Sequence, residues 1–206
     1  MLLLAFDTAT PAITAAVHDG SRVVGAAGHE GAMAHGELLV PTILEALAAA
    51  GAATSDVTEV AVGVGPGPFT GLRVGIVTAL TLGRSLGVPV RGVCSLDAIA
   101  AGTRAEGEFV VATDARRKEV YWARYDAQGR RMSDPAVDRP DVVGALGLPV
   151  VGRGTLVHPQ LAGSLEGPPD PSGAALAELV ASGRALEVAV EPLYLRRPDA
   201  QPMATP

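Results

Sequence analysis

Asp7 and Asp114 each close an apolar run, at residues 2–6 and 109–113. Between them lies the loop Gly65-Pro66-Gly67-Pro68-Phe69-Thr70-Gly71-Leu72-Arg73. An acid at a strand end can orient a metal-bound nucleotide, and a glycine loop between strand and helix can present backbone N–H groups to a phosphate. The loop follows the apolar run 59–64 and opens a helical run that ends near Leu86. Its spacing fits neither phosphate-binding pattern: no Gly-Lys-Ser/Thr opens the helix, and the third glycine of GxGxxG is missing. It therefore reads first as a tight strand-to-helix turn and second as a phosphate cradle. Asp7, Gly65, Gly67 and Asp114 are the candidates for a residual nucleotide site. The bland reading of both acids is that they accept hydrogen bonds from backbone N–H groups at their own strand ends.

Other chemistries find less support. A zinc site places two histidines one helical turn apart, and His18, His29, His35 and His158 offer no such pair. Cys94 ends an apolar strand, where a free cysteine is usually a small core residue. No Gly-x-Ser-x-Gly elbow is present, and Ser95 reads as the cap of a helix beginning at Leu96-Asp97. Arg116-Arg117-Lys118 is the one basic run, read as a solvated turn with direct nucleic-acid contact as the minority alternative. Tyr121 and Trp122 alternate on a strand, so one should face the core and the other not.

The elements that must position these residues follow from pattern. Residues 2–6 read as a central strand, and 13–18 and 22–27 as a meander around the turn Asp19-Gly20. Residues 35–50 have helical spacing up to Gly51; Pro41 implies a kink, or a helix starting close to it. A strand at 57–64 leads to the glycine loop, with Thr70 as N-cap of the next helix. On that helix Gly75, Ala79 and Gly83 recur every four residues, a smooth strip for close approach of another backbone, from this chain or from a partner. Leu72, Ile76 and Leu80 form the adjacent stripe expected to face the sheet. A strand at 90–93, a short helix at 95–101 and a polar link at 102–107 follow. The second half restarts with 109–114, 119–125 and a strand near Arg130, then a strand at 149–151 and a helix at 172–182. Two halves that each open on a strand, an acid and a hairpin suggest a duplicated α/β unit, with lobes at 1–103 and 104–206.

The 206 residues are 48% hydrophobic but 3% aromatic, so the core must be aliphatic. A net charge of −6, with Lys118 the sole lysine, argues against a chain that grips nucleic acid by itself. One cysteine permits no internal disulfide, and no apolar run has membrane-spanning length, so a soluble cytosolic protein is expected.

Three segments carry a family resemblance: Leu4-Ala5-Phe6-Asp7-Thr8-Ala9-Thr10, the loop 65–73, and Thr113-Asp114-Ala115-Arg116-Arg117-Lys118-Glu119-Val120-Tyr121-Trp122-Ala123. With Tyr194-Leu195-Arg196 near the end, they make the chain resemble the TsaB (YeaZ) family of the actin-like ATPase-domain superfamily. Pro68 stands where that family usually has serine, and residues 142–185 match poorly. The resemblance implies an α/β fold of two actin-like lobes, each a mixed sheet flanked by helices. It implies a catalytically silent paralogue, with no metal and no cofactor, that pairs through its N-terminal lobe with a TsaD-like protein. A TsaE-like ATPase joins the complex, and tRNA is met mainly through it; no membrane is involved. The paralogue's metal-binding histidine pair is absent. Leu38, Leu39, Thr42, Gly75, Ala79 and Gly83 are the interface candidates, and a homodimer is expected when the chain is alone. The alternative is a stand-alone phosphotransferase or ATPase using Asp7, the glycine loop and Asp114.

Overall fold

The computed structural model describes residues 1–31, 33–161 and 165–196. Its first half contains β1 (Leu3–Asp7), β2 (Ala12–His18), β3 (Val23–Glu30), α1 (His35–Ala49), β4 (Glu59–Gly63), α2 (Phe69–Leu86), β5 (Val90–Val93) and α3 (Ser95–Ala101). The second half adds β6 (Phe109–Asp114), β7 (Val120–Tyr125), β8 (Ala136–Asp138), α4 (Pro140–Gly144), β9 (Val150–Val151), α5 (Gly154–Val157), α6 (Gly173–Ala181) and β10 (Glu187–Val188).

β1 is buried along its whole length because it lies mid-sheet with helices on both faces. The first sheet runs β10-β5-β4-β1-β2-β3 and the second β8-β7-β6-β9. In each, the opening strand pairs antiparallel with the strand after it and parallel with a later one. The two sheets therefore repeat one strand order, which the weak sequence repeat only suggested. This is an α/β fold of the actin-like type, with two mixed sheets flanked by helices.

Alternation along β1 divides its side chains between two cores. Leu4 and Phe6 join Leu39, Ile43 and Ile76 under α1 and α2, while Leu3 and Ala5 meet Ala98 and Leu176 under α3 and α6. α3 also supplies Leu96, Ile99 and Ala100 to a cluster with Phe109, Val111 and Tyr125 of the second sheet. One short helix thus cements both sheets. Its single acid is neutralised in place: the Tyr125 hydroxyl donates to Asp97 Oδ1 at 2.7 Å, and Arg131 Nε lies 3.6 Å from the same oxygen. Burial still raises the Asp97 pKa, with Arg131 opposing it.

α1 runs from His35 to Ala49, close to the expected 35–50, and carries Pro41 within it, where Pro41 faces solvent and water can satisfy the carbonyl left without a donor. Three expectations need correction. α2 begins at Phe69 with Pro68 as its N-cap, so Thr70 sits inside the first turn. No strand forms at Arg130, since Asp126 accepts from the backbone N–H groups of Gln128 and Arg130 and closes a turn there; one bridge, Tyr125 to Arg131, follows. Finally, the chain beyond residue 103 does not all belong with the second sheet. α6 packs on β1 and β2, and β10 pairs with β5, so residues 173–188 return to the first sheet.

Tyr125→Phe should cost about 1–3 kcal/mol, because it strips the buried Asp97 of its hydroxyl donor. The loss should appear as a lower urea midpoint at unchanged slope.

Candidate functional site

The register of β1 against its parallel neighbour β4 pairs Phe6 with Val62 and so brings Asp7 beside Gly63. A Cβ on Gly63 would stand 1.7 Å from Asp7 Oδ2, so only glycine leaves room for the carboxylate. Asp7 is fully buried. Its Oδ1 accepts from the Ala9 N–H at 2.7 Å, and its Oδ2 accepts from the Ser95 hydroxyl at 2.5 Å. Ser95 Oγ in turn accepts from the Gly65 N–H at 3.1 Å. Burial pushes the Asp7 pKa up to about 6, the two hydrogen bonds opposing the rise. Ser95 is the first residue of α3, and its hydroxyl is spent on Asp7 and Gly65 rather than on capping. Sequence gave no signal for this pair, which lies 88 residues apart.

The glycine loop is filled by the chain itself. Cβ atoms on Gly67 and Gly71 would stand 2.3 Å from the carbonyl oxygens of Ala9 and Thr8, and one on Gly75 would stand 2.4 Å from Thr8 Oγ1. The Thr8 hydroxyl donates to the Gly71 carbonyl at 2.8 Å. Residues 8 and 9 thus pack against the loop so closely that none of Gly67, Gly71 and Gly75 has room for a side chain.

Asp114 ends β6 in the second sheet and is half-buried. Its Oδ1 accepts from the Arg116 N–H at 3.1 Å and faces His158 Nε2 at 3.3 Å. Between the halves, Ala9, Thr10, Pro11, His35 and Pro68 on one side and Asp114, Arg116 and Arg153 on the other line a cavity of about 50 Å³. Small-molecule sites usually enclose several hundred cubic ångströms. Arg153, a lining residue that sequence missed, is committed to Asp170 through two bonds of 2.7 and 2.6 Å and to Glu30 of β3 at 2.8 Å. The four nucleotide-site candidates thus divide: Asp7, Gly65 and Gly67 pack in one sealed corner, and Asp114 stands across the cleft.

The turn after Asp114 is unusual. Arg116, Arg117 and Lys118 have φ of 59°, 53° and 61°, three successive non-glycine residues in the left-handed region. Each costs about 1 kcal/mol or more. All three are exposed, whereas of the aromatic pair Tyr121 is buried and Trp122 half-buried, its Nε1 donating to Asp138 at 2.9 Å.

The interface candidates also move. Gly75, Ala79 and Gly83 face inward: Ala79 is fully buried, and a Cβ on Gly83 would stand 2.2 Å from Val90 Cγ2. The strip serves helix-on-sheet packing within the chain. Leu39 and Thr42 are buried, the Thr42 hydroxyl donates to the Leu38 carbonyl at 2.7 Å, and Leu38 is half-buried against the same core. The outward faces instead carry Val40 and Leu44 on α1, 52% and 53% exposed, and Val77 and Leu80 on α2, 61% and 47% exposed. Leu80 was expected on the sheet side; the inward small residues place it outside.

Gly67→Ala should cost about 1–3 kcal/mol by forcing the Ala9 backbone away, and a thermal melt reads this. Asp7 titrates above the ordinary carboxylate range when folded, so the folded state holds its proton where the unfolded chain has lost it. Its stabilising contribution is therefore fully present below about pH 4 and lost as pH rises through about 6. Asp7→Asn should remove this loss, worth roughly 3 kcal/mol, and be as stable as wild type or more so at pH 7. Urea titrations of both proteins between pH 4 and 8 measure the difference.

Comparison with known proteins places the chain in a family. A family model described as TsaD, tRNA N6-adenosine threonylcarbamoyltransferase, matches residues 21–192. An uncharacterized protein of Mycobacterium tuberculosis is 47% identical over 209 residues, covering 98% of this chain and 95% of that one. A Mycobacterium leprae relative is 45% identical, and this chain spans 56% of its length. The Escherichia coli tRNA threonylcarbamoyladenosine biosynthesis protein TsaB is 35% identical over 151 residues, 69% of this chain and 64% of that protein. The solved structure of YeaZ from Pseudomonas aeruginosa superposes with TM-score 0.74 at 31% identity, over 94% of this chain and 99% of that one. The chain is thus a TsaB/YeaZ-like protein and belongs to the TsaD family.

Proposed function

We propose that this chain is a non-catalytic activating subunit. It pairs with a TsaD-like protein, with a TsaE-like ATPase in the complex, for threonylcarbamoyl transfer to the adenosine beside the tRNA anticodon. The observation that carries the reading is the tightly packed glycine loop: the backbone of residues 8 and 9 lies against Gly67 and Gly71 so closely that neither could carry a side chain, which fits a packing joint. Asp7, the acid best placed for a metal, is walled in by Gly63, Ala9 and Ser95. Support for pairing comes from the outward apolar faces of the neighbouring helices α1 and α2. Four large aliphatic side chains on two adjacent helices favour a cover, which a TsaD-like protein supplies in the complex and a second copy supplies in its absence. The stand-alone ATPase has less support, since Asp7, Gly65 and Gly67 do not line the small cavity that Pro68 and Asp114 border.

The test is tRNA modification in a reconstituted mixture of the cognate TsaD-like and TsaE-like proteins and the enzyme that forms threonylcarbamoyl-AMP, with and without this chain. Modification should require the chain, and the chain alone should not hydrolyse ATP. Modification that proceeds equally without it sinks the proposal. Val77→Arg or Leu80→Arg should weaken binding to the TsaD-like protein by at least about tenfold, since each buries a charge in the contact, while the melting temperature holds. Ala79→Arg should unfold the chain instead.

A further inference from the structure

α1 and α2 lie side by side and run in the same direction. β1 pairs antiparallel with β2, β2 antiparallel with β3, and β1 parallel with β4, so β3 and β4 point the same way. Each helix then returns over the sheet. A Cβ on Gly25, early in β3, would meet the Ala46 carbonyl late in α1, and one on Gly83, late in α2, would meet Val90 at the start of β5. The helices also start together, since a Cβ on Gly71 would stand 3.4 Å from the His35 ring. Counting from that contact at about 1.5 Å per residue, Glu37 and Arg73 both lie about 3 Å along. Val40 and Val77 lie about 8 and 9 Å along, Leu44 and Leu80 both about 14 Å, and Glu45 and Arg84 about 15 and 20 Å. All eight side chains are exposed, on the outward stripe of their helix.

The charges on this face separate by sign: α1 carries Glu37 and Glu45 with no Arg or Lys, and α2 carries Arg73 and Arg84 with no acid. Helix dipoles do not account for it. Glu37 and Arg84 suit their helix ends, but Glu45 late in α1 and Arg73 early in α2 oppose theirs. Arg73 is held in place within the chain, lying over the Phe69 ring and donating through Nε to Tyr194 of the C-terminal strap. Glu45 accepts from the exposed His29 through Oε2.

We propose that a second copy of this chain covers the face about a two-fold axis parallel to the two helices, so that α1 of each copy lies on α2 of the other. The proposal rests on the docking face inferred above and adds its geometry. Rotation about that axis keeps every residue at its own level. Glu37 then meets Arg73 of the second copy, Val40 meets Val77, Leu44 meets Leu80, and Glu45 comes to Arg84, each contact being made twice. The result is an apolar centre with a charged rim, as stable interfaces have. An axis across the helices would instead lay α1 antiparallel on α1 and α2 on α2. Glu37 would then face Glu45 and Arg73 would face Arg84, and like charges brought together count against that arrangement.

The test uses the full-length chain alone, so its failure and that of the modification assay are told apart. Sedimentation across the micromolar range should show a dimer. Glu37→Arg should keep the melting temperature and weaken the dimer about tenfold or more, because it faces Arg73 twice per dimer. With an axis across the helices the same change would face Glu45 and strengthen it. E37R/R73E should restore the dimer. An independent readout is cross-linking with a short bis-maleimide, for which Cys94, the native cysteine, is buried. An equal mixture of Val40→Cys and Val77→Cys chains should cross-link, and Val40→Cys alone should not. The proposal is overturned if the chain stays monomeric throughout, which would leave the face to the TsaD-like protein only. It is equally overturned if Glu37→Arg dimerises as well as wild type or better, or if Val40→Cys alone cross-links as strongly as the mixture.

Discussion

The carboxylate of Asp7 is enclosed by its own fold, between the bare backbone of Gly63, the N–H of Ala9 and the hydroxyl of Ser95. That enclosure joins the ends of β1 and β4 and the start of α3, and the glycine loop follows from it. Once Asp7 turns the chain inward, residues 8 and 9 must lie over the loop, and Gly67, Gly71 and Gly75 are the positions where a side chain would collide with them. The corner is a packing joint between β1, β4 and the glycine loop. The cost is a buried acid with its pKa pushed up to about 6, offset by two hydrogen bonds.

The second joint is α3. It begins at Ser95, which serves Asp7, and ends in the core of the second sheet through Ile99 and Ala100. Asp97, between them, is held by Tyr125 and Arg131. The same short helix therefore fixes the first sheet's corner and the second sheet's position. Arg153, bridging Asp170 and Glu30, and the C-terminal strap through Tyr194 and Arg196 add ties at the periphery. The cleft between the halves is thus braced at three places and encloses about 50 Å³.

α2 divides its labour by face. Small residues at 75, 79 and 83 let its backbone settle onto β4 and β5, and this closeness rotates Val77 and Leu80 outward. Inward smoothness and outward apolarity have one origin. α1 does the same with Leu39, Thr42 and Ile43 inside and Val40 and Leu44 outside.

Much was legible in the sequence because it is written locally. Alternation in β1, the Asp19-Gly20 turn, the helix that stops at Gly87 with φ of 69°, and the acids at strand ends need only neighbours along the chain. So do the motifs that marked the family. Tertiary structure alone decided which way the helices face and what the acids do. A spacing of four residues says that a strip is small, not whether its own sheet or another protein lies against it. Nothing near Asp7 in sequence announces Ser95, and nothing near Glu30 announces Arg153, since hydrogen bonds between residues 88 and 123 positions apart leave no local pattern. The return of α6 and β10 to the first sheet was hidden for the same reason. A two-residue edge strand has no periodicity to read, and only the open edge of β5 gives it a place.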